Sequence, residues 1–276
     1  MDQITKDIVN NTIRIRPNNS YKGTYGKVGL IGGNQNFGGA IIMASSAAVH
    51  SGAGLVTTFT DKINLSSLHD HLPEAMFADY NDEETLKSLI PTFNVIVIGP
   101  GLGTDTKSLK ILNKVFNLIQ KNQIVVIDGS AITMIAKHKI KLPKAIKIFT
   151  PHQMEWQRLS NIKIKDQNEK QNMIKAKELN SIVVLKSHHT EVYNSDSVFQ
   201  NPGGTPAQAT GGMGDTLAGM IGGFVAQFNN KYNAVLSAVF MHSKIADELA
   251  KDQYVVLPSQ IIKQIPNFMK RYEKKV

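Results

Sequence analysis

The sequence predicts a three-layer α/β/α fold with a mostly parallel central sheet and some antiparallel strands. Three observations carry that expectation. Short apolar runs rich in Val and Ile alternate with longer amphipathic stretches, as strands alternate with crossover helices in βαβ units. The runs are nearly continuous in apolar residues, which is how strands buried on both faces read. Late in the chain, two strand-like runs are joined by Asn194-Ser195-Asp196, a hairpin signature that makes part of the sheet antiparallel.

Taken in order, Val28–Ile31, Leu55–Phe59, Val95–Ile98, Ile124–Ile127, Ile146–Phe149 and Ile182–Leu185 read as strands. Ala40–His50, Lys107–Lys121 and Lys165–Leu179 read as helices between them. Glu191–Tyr193 and Ser197–Gln200 form the hairpin. A glycine-rich turn leads into two long apolar helices, Thr216–Gln227 and Ala234–Lys251, and a last helix follows Pro258. Within Ala234–Lys251, the apolar stripe holding Met241 and His242 reads as core packing. No linker, low-complexity tract or internal repeat interrupts the 276 residues, so one domain over residues 1–276 is expected.

Composition excludes several classes of chemistry. There are no cysteines, hence no disulfides, thiolate nucleophiles or cysteine zinc sites. No stretch approaches the roughly 20 apolar residues of a membrane span. Met1 to Pro17 mixes polar and apolar residues without the apolar core of a secretion signal, so a cytoplasmic location is expected. The net charge of +9 follows from 31 basic and 22 acidic residues. Its lysines are scattered, apart from a short run within residues 270–275, and no arginine-rich stripe interleaves with aromatics. That pattern reads as a solvated surface rather than a nucleic-acid groove. His69/His71 and His188/His189 lack a third ligand at metal spacing.

In open α/β sheets, ligands bind beyond the carboxyl ends of the strands. Each expected strand here is followed by glycine or a polar group: Gly32–Ala40, Gly99–Gly103, Asp128, Thr150-Pro151-His152, Lys186, and, after the hairpin, Gly211–Asp215. Gly32–Ala40 is either a flexible connection or a ligand loop. Gly99–Gly103 is either a tight turn around Pro100 or a place of close backbone approach. His152 either opens a helix with Glu155 in its first turn or reaches a ligand. Gly211–Asp215 precedes an apolar helix, whose free N–H groups favour an anion. Asp215 is either an ordinary helix cap or a general base beside a bound phosphate. Neither a Gly-x-x-x-x-Gly-Lys-Ser/Thr loop nor a Gly-x-Gly-x-x-Gly fingerprint occurs, so a phosphate site must use another arrangement.

Taken together, these motifs resemble the NAD(P)H-hydrate dehydratases of the ribokinase-like superfamily. The matching segments are Lys22–Val28, Gly32-Gly33 with Gly39-Ala40, Ser51–Val56, Gly99–Gly103, Val126–Asp128, Thr150–His152 with Glu155 and Arg158, Val183–Lys186 with Thr190, and Asn201-Pro202 running into Ala209–Asp215. They cover nearly the whole chain in order. The resemblance implies a ribokinase-like fold and repair of hydrated NADH and NADPH, with ADP (or ATP) and magnesium. It implies Asp215 as the base on the ring hydroxyl, and the amides of Gly212, Met213 and Gly214 as an anion hole. It places Ala40, Gly101, Gly103 and His152 near the hydrated dinucleotide, and Lys186, Ser187, His188, His189, Thr190 and Gly214 around the adenosine nucleotide. It also implies a homotetramer. The chain departs from the family pattern at Thr24 and Tyr25, Gly129-Ser130, Met154 and Ser187. Two other readings remain at this point: a small-molecule kinase of the same superfamily, and a non-enzymatic nucleotide- or nucleic-acid-binding protein.

Overall fold

The computed structural model describes residues 1–274, so Lys275 of the terminal lysine run lies outside the described residues. The strands are β1 (Asp2–Gln3), β2 (Lys27–Ile31), β3 (Leu55–Thr60), β4 (Met76–Asp79), β5 (Val95–Ile98), β6 (Ile124–Ile127), β7 (Ile146–Phe149), β8 (Ser181–Leu185), β9 (Glu191–Tyr193) and β10 (Val198–Gln200). The helices are α1 (Lys6–Thr12), α2 (Gly38–His50), α3 (Leu65–His71), α4 (Glu83–Leu89), α5 (Thr106–Leu118), α6 (Gly129–His138), α7 (Gln153–Ser160), α8 (Glu169–Glu178), α9 (Met213–Gln227), α10 (Lys231–Leu249) and α11 (Pro258–Tyr272).

The strands form one sheet in the order β1-β10-β9-β8-β7-β6-β5-β2-β3-β4. From β8 to β4 every pairing is parallel, and β9 runs antiparallel to both β8 and β10. Successive residues of the central strands feed opposite cores. Val95, Val97, Ile124 and Val126 pack with α1, α2, α9, α10 and α11 on one face. Ile96, Ile98, Val125 and Ile127 pack with α4, α5 and α6 on the other. Burial on both sides is why these strands read as unbroken apolar runs.

All five expected helices have different bounds, by one to four residues at an end, and two of the shifts have a clear local reason. The stretch from Lys165 begins as a tight turn over Ile164–Asp166, and α8 starts only after Asn168, whose side chain accepts from the Gln171 amide at 3.1 Å. In contrast, α9 starts three residues before the expected Thr216. Gly212 takes the left-handed φ of 94° that lets the chain turn sharply into the helix.

Helices α2 and α9 lie against each other over the sheet, backbone close to backbone. A methyl group at Gly219 would collide with the Ala44 carbonyl of α2. In an unobstructed helix, Gly→Ala stabilises by about 1 kcal/mol. Here we expect Gly219→Ala to cost about 1–3 kcal/mol, because the helices must separate. A fall in the urea midpoint is the expected result, and a rise would show that the helices can part freely.

Candidate active site

The chain winds outward through β2, β3 and β4, then returns to place β5 on the other side of β2. That reversal opens a crevice at the carboxyl ends of β2 and β5. The two glycine-rich loops meet there. The Gly33 amide donates to the Pro100 carbonyl at 2.9 Å, and the Asn34 amide to Gly101 at 2.8 Å. Gly101 and Gly103 have φ of 61° and 87°. A Cβ on Gly101 would come within 2.9 Å of the Ala40 methyl, and one on Gly103 within 2.6 Å of Asn34 Nδ2. The close approach that these glycines allow is therefore between the loops themselves. It brings Ala40, Gly101 and Gly103 together at the mouth of the crevice.

Helix α9 begins beside it. Gly212 is the cap and supplies no side chain, so the amides of Gly212, Met213 and Gly214 open the helix without intrahelical partners. Asp215 sits in the first turn and does not cap it. Among the other helices, Asp82 caps α4, Asp105 caps α5 and Asn230 caps α10, while α3 and α11 have no side-chain cap. Likewise α2, α6 and α9, whose starts lie at the carboxyl ends of β2, β6 and the loop after β10, have no side-chain cap.

Three neighbouring strand ends supply the charged groups. Lys186 follows β8, His152 follows β7, and the two pair as an isolated parallel bridge. Lys186 Nζ lies 2.9 Å from Oδ1 of Asp128, which follows β6, and their side chains are 22% and 3% exposed. Thr150 Oγ1 donates to the same Asp128 oxygen at 2.7 Å. A Cβ on Gly214 would stand 3.1 Å from Lys186 Nζ, so glycine leaves room for the ammonium at the start of α9.

These groups set one another's charge. Burial works against the Lys186 ammonium, but the carboxylates of Asp128, Glu155 and Asp215 hold its pKa above the ordinary value. Burial, with the Asp128 carboxylate, raises Asp215 to about 6, against the pull of Lys186. Burial also raises Glu155, while Lys186 and the His152 amide draw it down. His152 is lowered, by burial and then by the charges of Lys186 and Arg158.

His152 opens a helix with Glu155 in its first turn, one of the two readings the sequence allowed. It caps α7, its Nδ1 accepting from the amides of Met154 at 3.1 Å and Glu155 at 3.2 Å, while Glu155 Oε2 accepts from the His152 amide at 2.9 Å. An accepting Nδ1 assigns the proton to Nε2. The ring is 53% exposed. Thus the cap fixes the tautomer, and Nε2 lies 3.6 Å from Glu155 Oε1.

On the far side of Lys186 lies a cavity of about 360 Å³. Lys186, Ser187, His188, Thr190, Met213 and Gly214 line it, as does Gln208. His189 is not in the wall and stacks on His188, with ring centroids 4.2 Å apart. Ser187, a departure from the family pattern, donates its hydroxyl to the His189 carbonyl at 2.8 Å and so stiffens this turn. Met154, another departure, is exposed.

Two wall residues escaped the sequence reading. Gln208 sits in a turn with no pattern to mark it. His242 lies in the apolar stripe of α10 and is buried, as a core residue would be, yet it reaches the cavity. Burial, then the Lys186 charge, lowers its pKa to about 4, and its Nδ1 lies 3.4 Å from Gln208 Nε2. A lone imidazole among apolar residues, one helix after the glycine turn, was the available signal. A larger cavity of about 580 Å³, lined by Arg16, Tyr25, His50 and Gln227 among others, holds none of the sequence-predicted site residues. Among the described residues, no three His, Asp or Glu side chains converge into a metal cage. No helix among them is long and apolar enough to cross a membrane.

Known proteins are similar to this chain over nearly its whole length. The model of the NAD(P)H-hydrate dehydratase family matches residues 28–267. An ADP-dependent (S)-NAD(P)H-hydrate dehydratase from Lactiplantibacillus plantarum is 57% identical over 274 residues, 99% of each chain. A ribokinase-like superfamily protein from Enterococcus faecalis is 46% identical and superposes with a TM-score of 0.98, covering 100% of this chain and 97% of that one. The ADP/ATP-dependent NAD(P)H-hydrate dehydratase of Bacillus subtilis, co-crystallised with ATP and Mg2+, is 28% identical, with a TM-score of 0.86 over 99% of each chain. The fold is ribokinase-like, and the chain belongs to the NAD(P)H-hydrate dehydratase family.

Proposed function

We propose that this protein is an ADP-dependent (S)-NAD(P)H-hydrate dehydratase, a hydro-lyase that restores hydrated NADH and NADPH to the reduced cofactors. Hydroxide is a poor leaving group and phosphate a good one. Asp215 takes the proton from the hydroxyl of the hydrated ring, and the ring oxygen attacks the terminal phosphorus of ADP. The P–O bond to AMP breaks, AMP departs, and the ring carries a phosphate ester. Loss of phosphate, with a proton from the adjacent carbon, restores the ring double bond. The products are the reduced dinucleotide, AMP and phosphate.

The observation that carries this reading is the environment of Asp215. Its carboxyl, raised to about 6, stands in the first turn of an uncapped helix, within the field of Lys186. A base with a pKa near the working pH is ionised yet still accepts a proton readily. The free amides of Gly212, Met213 and Gly214, together with Lys186, offer the migrating phosphoryl group fixed positive charge. Lys186, Ser187, His188 and Thr190 hold ADP in their cavity, with His189 behind His188. Ala40, Gly101, Gly103 and His152 hold the hydrated dinucleotide.

Magnesium fits this site as an ion that arrives with the nucleotide. It binds phosphate oxygens and water with one or two carboxylates rather than a protein cage, and Asp128, Glu155 and Asp215 are the carboxylates at hand. Its contribution is to neutralise phosphate charge. A cytoplasmic homotetramer of single-domain chains, spanning residues 1–276, completes the proposal.

The test is direct. Protein supplied with ADP, magnesium and hydrated NADH should regenerate the absorbance of the reduced nicotinamide, with one AMP released per ring restored. No recovery with ADP or ATP would sink the proposal. A stable phosphorylated product without recovery would point to a kinase.

A further inference from the structure

A third cavity, of about 210 Å³, opens beyond Gly103 at the carboxyl ends of β3 and β4. Asn34, Asn36, Asp61, Tyr80, Asp105 and Lys107 are in its wall. It is continuous with the crevice, because Asn34 both lines it and lies against Gly103. None of its residues belongs to the proposed chemistry.

Its wall is polar and includes a phenol hydroxyl. Tyr80 is 2% exposed as a residue, and it lines the cavity. Asp61, Asp105 and Asp79 all lie within its electrostatic reach, the first two in the cavity wall. A phenol hydroxyl in a cavity wall can donate to, or accept from, a ligand hydroxyl that takes the place of water. The wall carries two carboxylates and one ammonium. Lys107 is already engaged, its Nζ 3.1 Å from Asp61 Oδ2. Both carboxylates are ionised at neutral pH. For Asp61, burial is outweighed by the Ile63 amide and Lys107, and Asp105 is lowered by the Ser108 amide at the start of α5. Such a wall accepts hydrogen bonds from hydroxyls and repels a phosphate.

The sheet order sets these places in a row. The ADP cavity lies by β8, and Asp215, Lys186 and His152 lie over the ends of β6 to β8. Ala40, Gly101 and Gly103 follow at β5 and β2, and the third cavity at β3 and β4. A dinucleotide with its hydrated ring at Asp215 would cross the crevice past the uncapped start of α2, where Gly39 faces open space and amides favour a diphosphate. Its second nucleoside then arrives beyond Gly103.

Resting on the dehydratase reading, we propose that this cavity is the subsite for the adenosine end of the hydrated dinucleotide. Tyr80 and Asp61 bond the ribose hydroxyls there, and the two carboxylates bias the enzyme towards hydrated NADH over its 2′-phosphorylated counterpart.

Steady-state kinetics of the full chain with ADP and magnesium test this, using hydrated NADH and hydrated NADPH in turn. Wild type should show the higher kcat/KM with hydrated NADH. Tyr80→Phe keeps the ring and removes only the hydroxyl. It should raise KM for hydrated NADH about three- to tenfold, leaving kcat and the KM for ADP unchanged. Asp61→Asn should narrow the preference between the two hydrates. A wild type that prefers hydrated NADPH overturns the proposed bias. Turnover with an unmoved KM in Tyr80→Phe overturns the subsite while the dehydratase reading stands. A wild type that turns over neither hydrate overturns both.

Discussion

Asp215→Asn should lose roughly 10²–10⁴-fold in kcat while still binding ADP and the hydrated dinucleotide, because the amide keeps the shape and cannot accept the proton. The same carboxyl predicts the pH profile. Its pKa in the free protein is about 6, so kcat/KM should rise as pH passes through 6 and level off above it. A profile flat from pH 5 to pH 8 would exclude Asp215 as the base. A stability effect of opposite sign accompanies the loss of activity. The folded pKa is raised from an ordinary 3.8, so below that value the group is protonated in both states and costs nothing. Between 3.8 and about 6 the unfolded chain ionises while the folded one resists, and the native state loses ground. Above 6 the loss is complete, at about 1–3 kcal/mol. Asp215→Asn removes it. The variant should therefore be more stable than wild type at pH 8 and equal to it near pH 3, as measured by urea denaturation. A variant that is inactive and also less stable at pH 8 would mean that the carboxylate serves the fold, not the reaction.

What could be read from the sequence divides along physical lines. The six inner parallel strands were legible to within a residue or two, because burial on both faces demands unbroken Val and Ile. Strand β1, two exposed residues long, and β4, short and partly exposed, carry no such demand and left no pattern. Helices of seven residues, such as α3 and α4, are too short to show a period. The loops of the site were legible because glycine, proline and isolated charged residues stand out at the ends of apolar runs. What the sequence could not show is how those loops divide the work. Gly101 and Gly103 read as places of close backbone approach, and the approach visible in the fold is that of two loops to each other. Asp128 read as one more residue after a strand, and it is the buried partner of Lys186. Tyr80 belongs to no motif, since its meaning lies in the cavity it lines and not in its neighbours along the chain.

The Lys186–Asp128 pair leads to a second large effect, one that separates fold from reaction. Lys186→Met should destabilise the protein by about 3–5 kcal/mol at pH 8, because it strands a carboxylate that is 3% exposed. The hydroxyl of Thr150 alone cannot compensate for that charge. Adding Asp128→Asn removes the stranded charge, and the double variant should recover most of the lost stability. The two changes are then strongly non-additive, as residues in contact are. Activity should not follow. In the proposed reaction, Lys186 supplies positive charge beside Gly214 where the phosphoryl group moves, and its loss should cost roughly 10²–10³-fold in kcat in the single and the double variant alike. If activity returned along with stability, Lys186 would be a structural counterion only, and the phosphoryl charge would have to be met by the α9 amides and magnesium without it. If stability never fell, the carboxylate would have another partner, and the burial of Asp128 would need a different physical account.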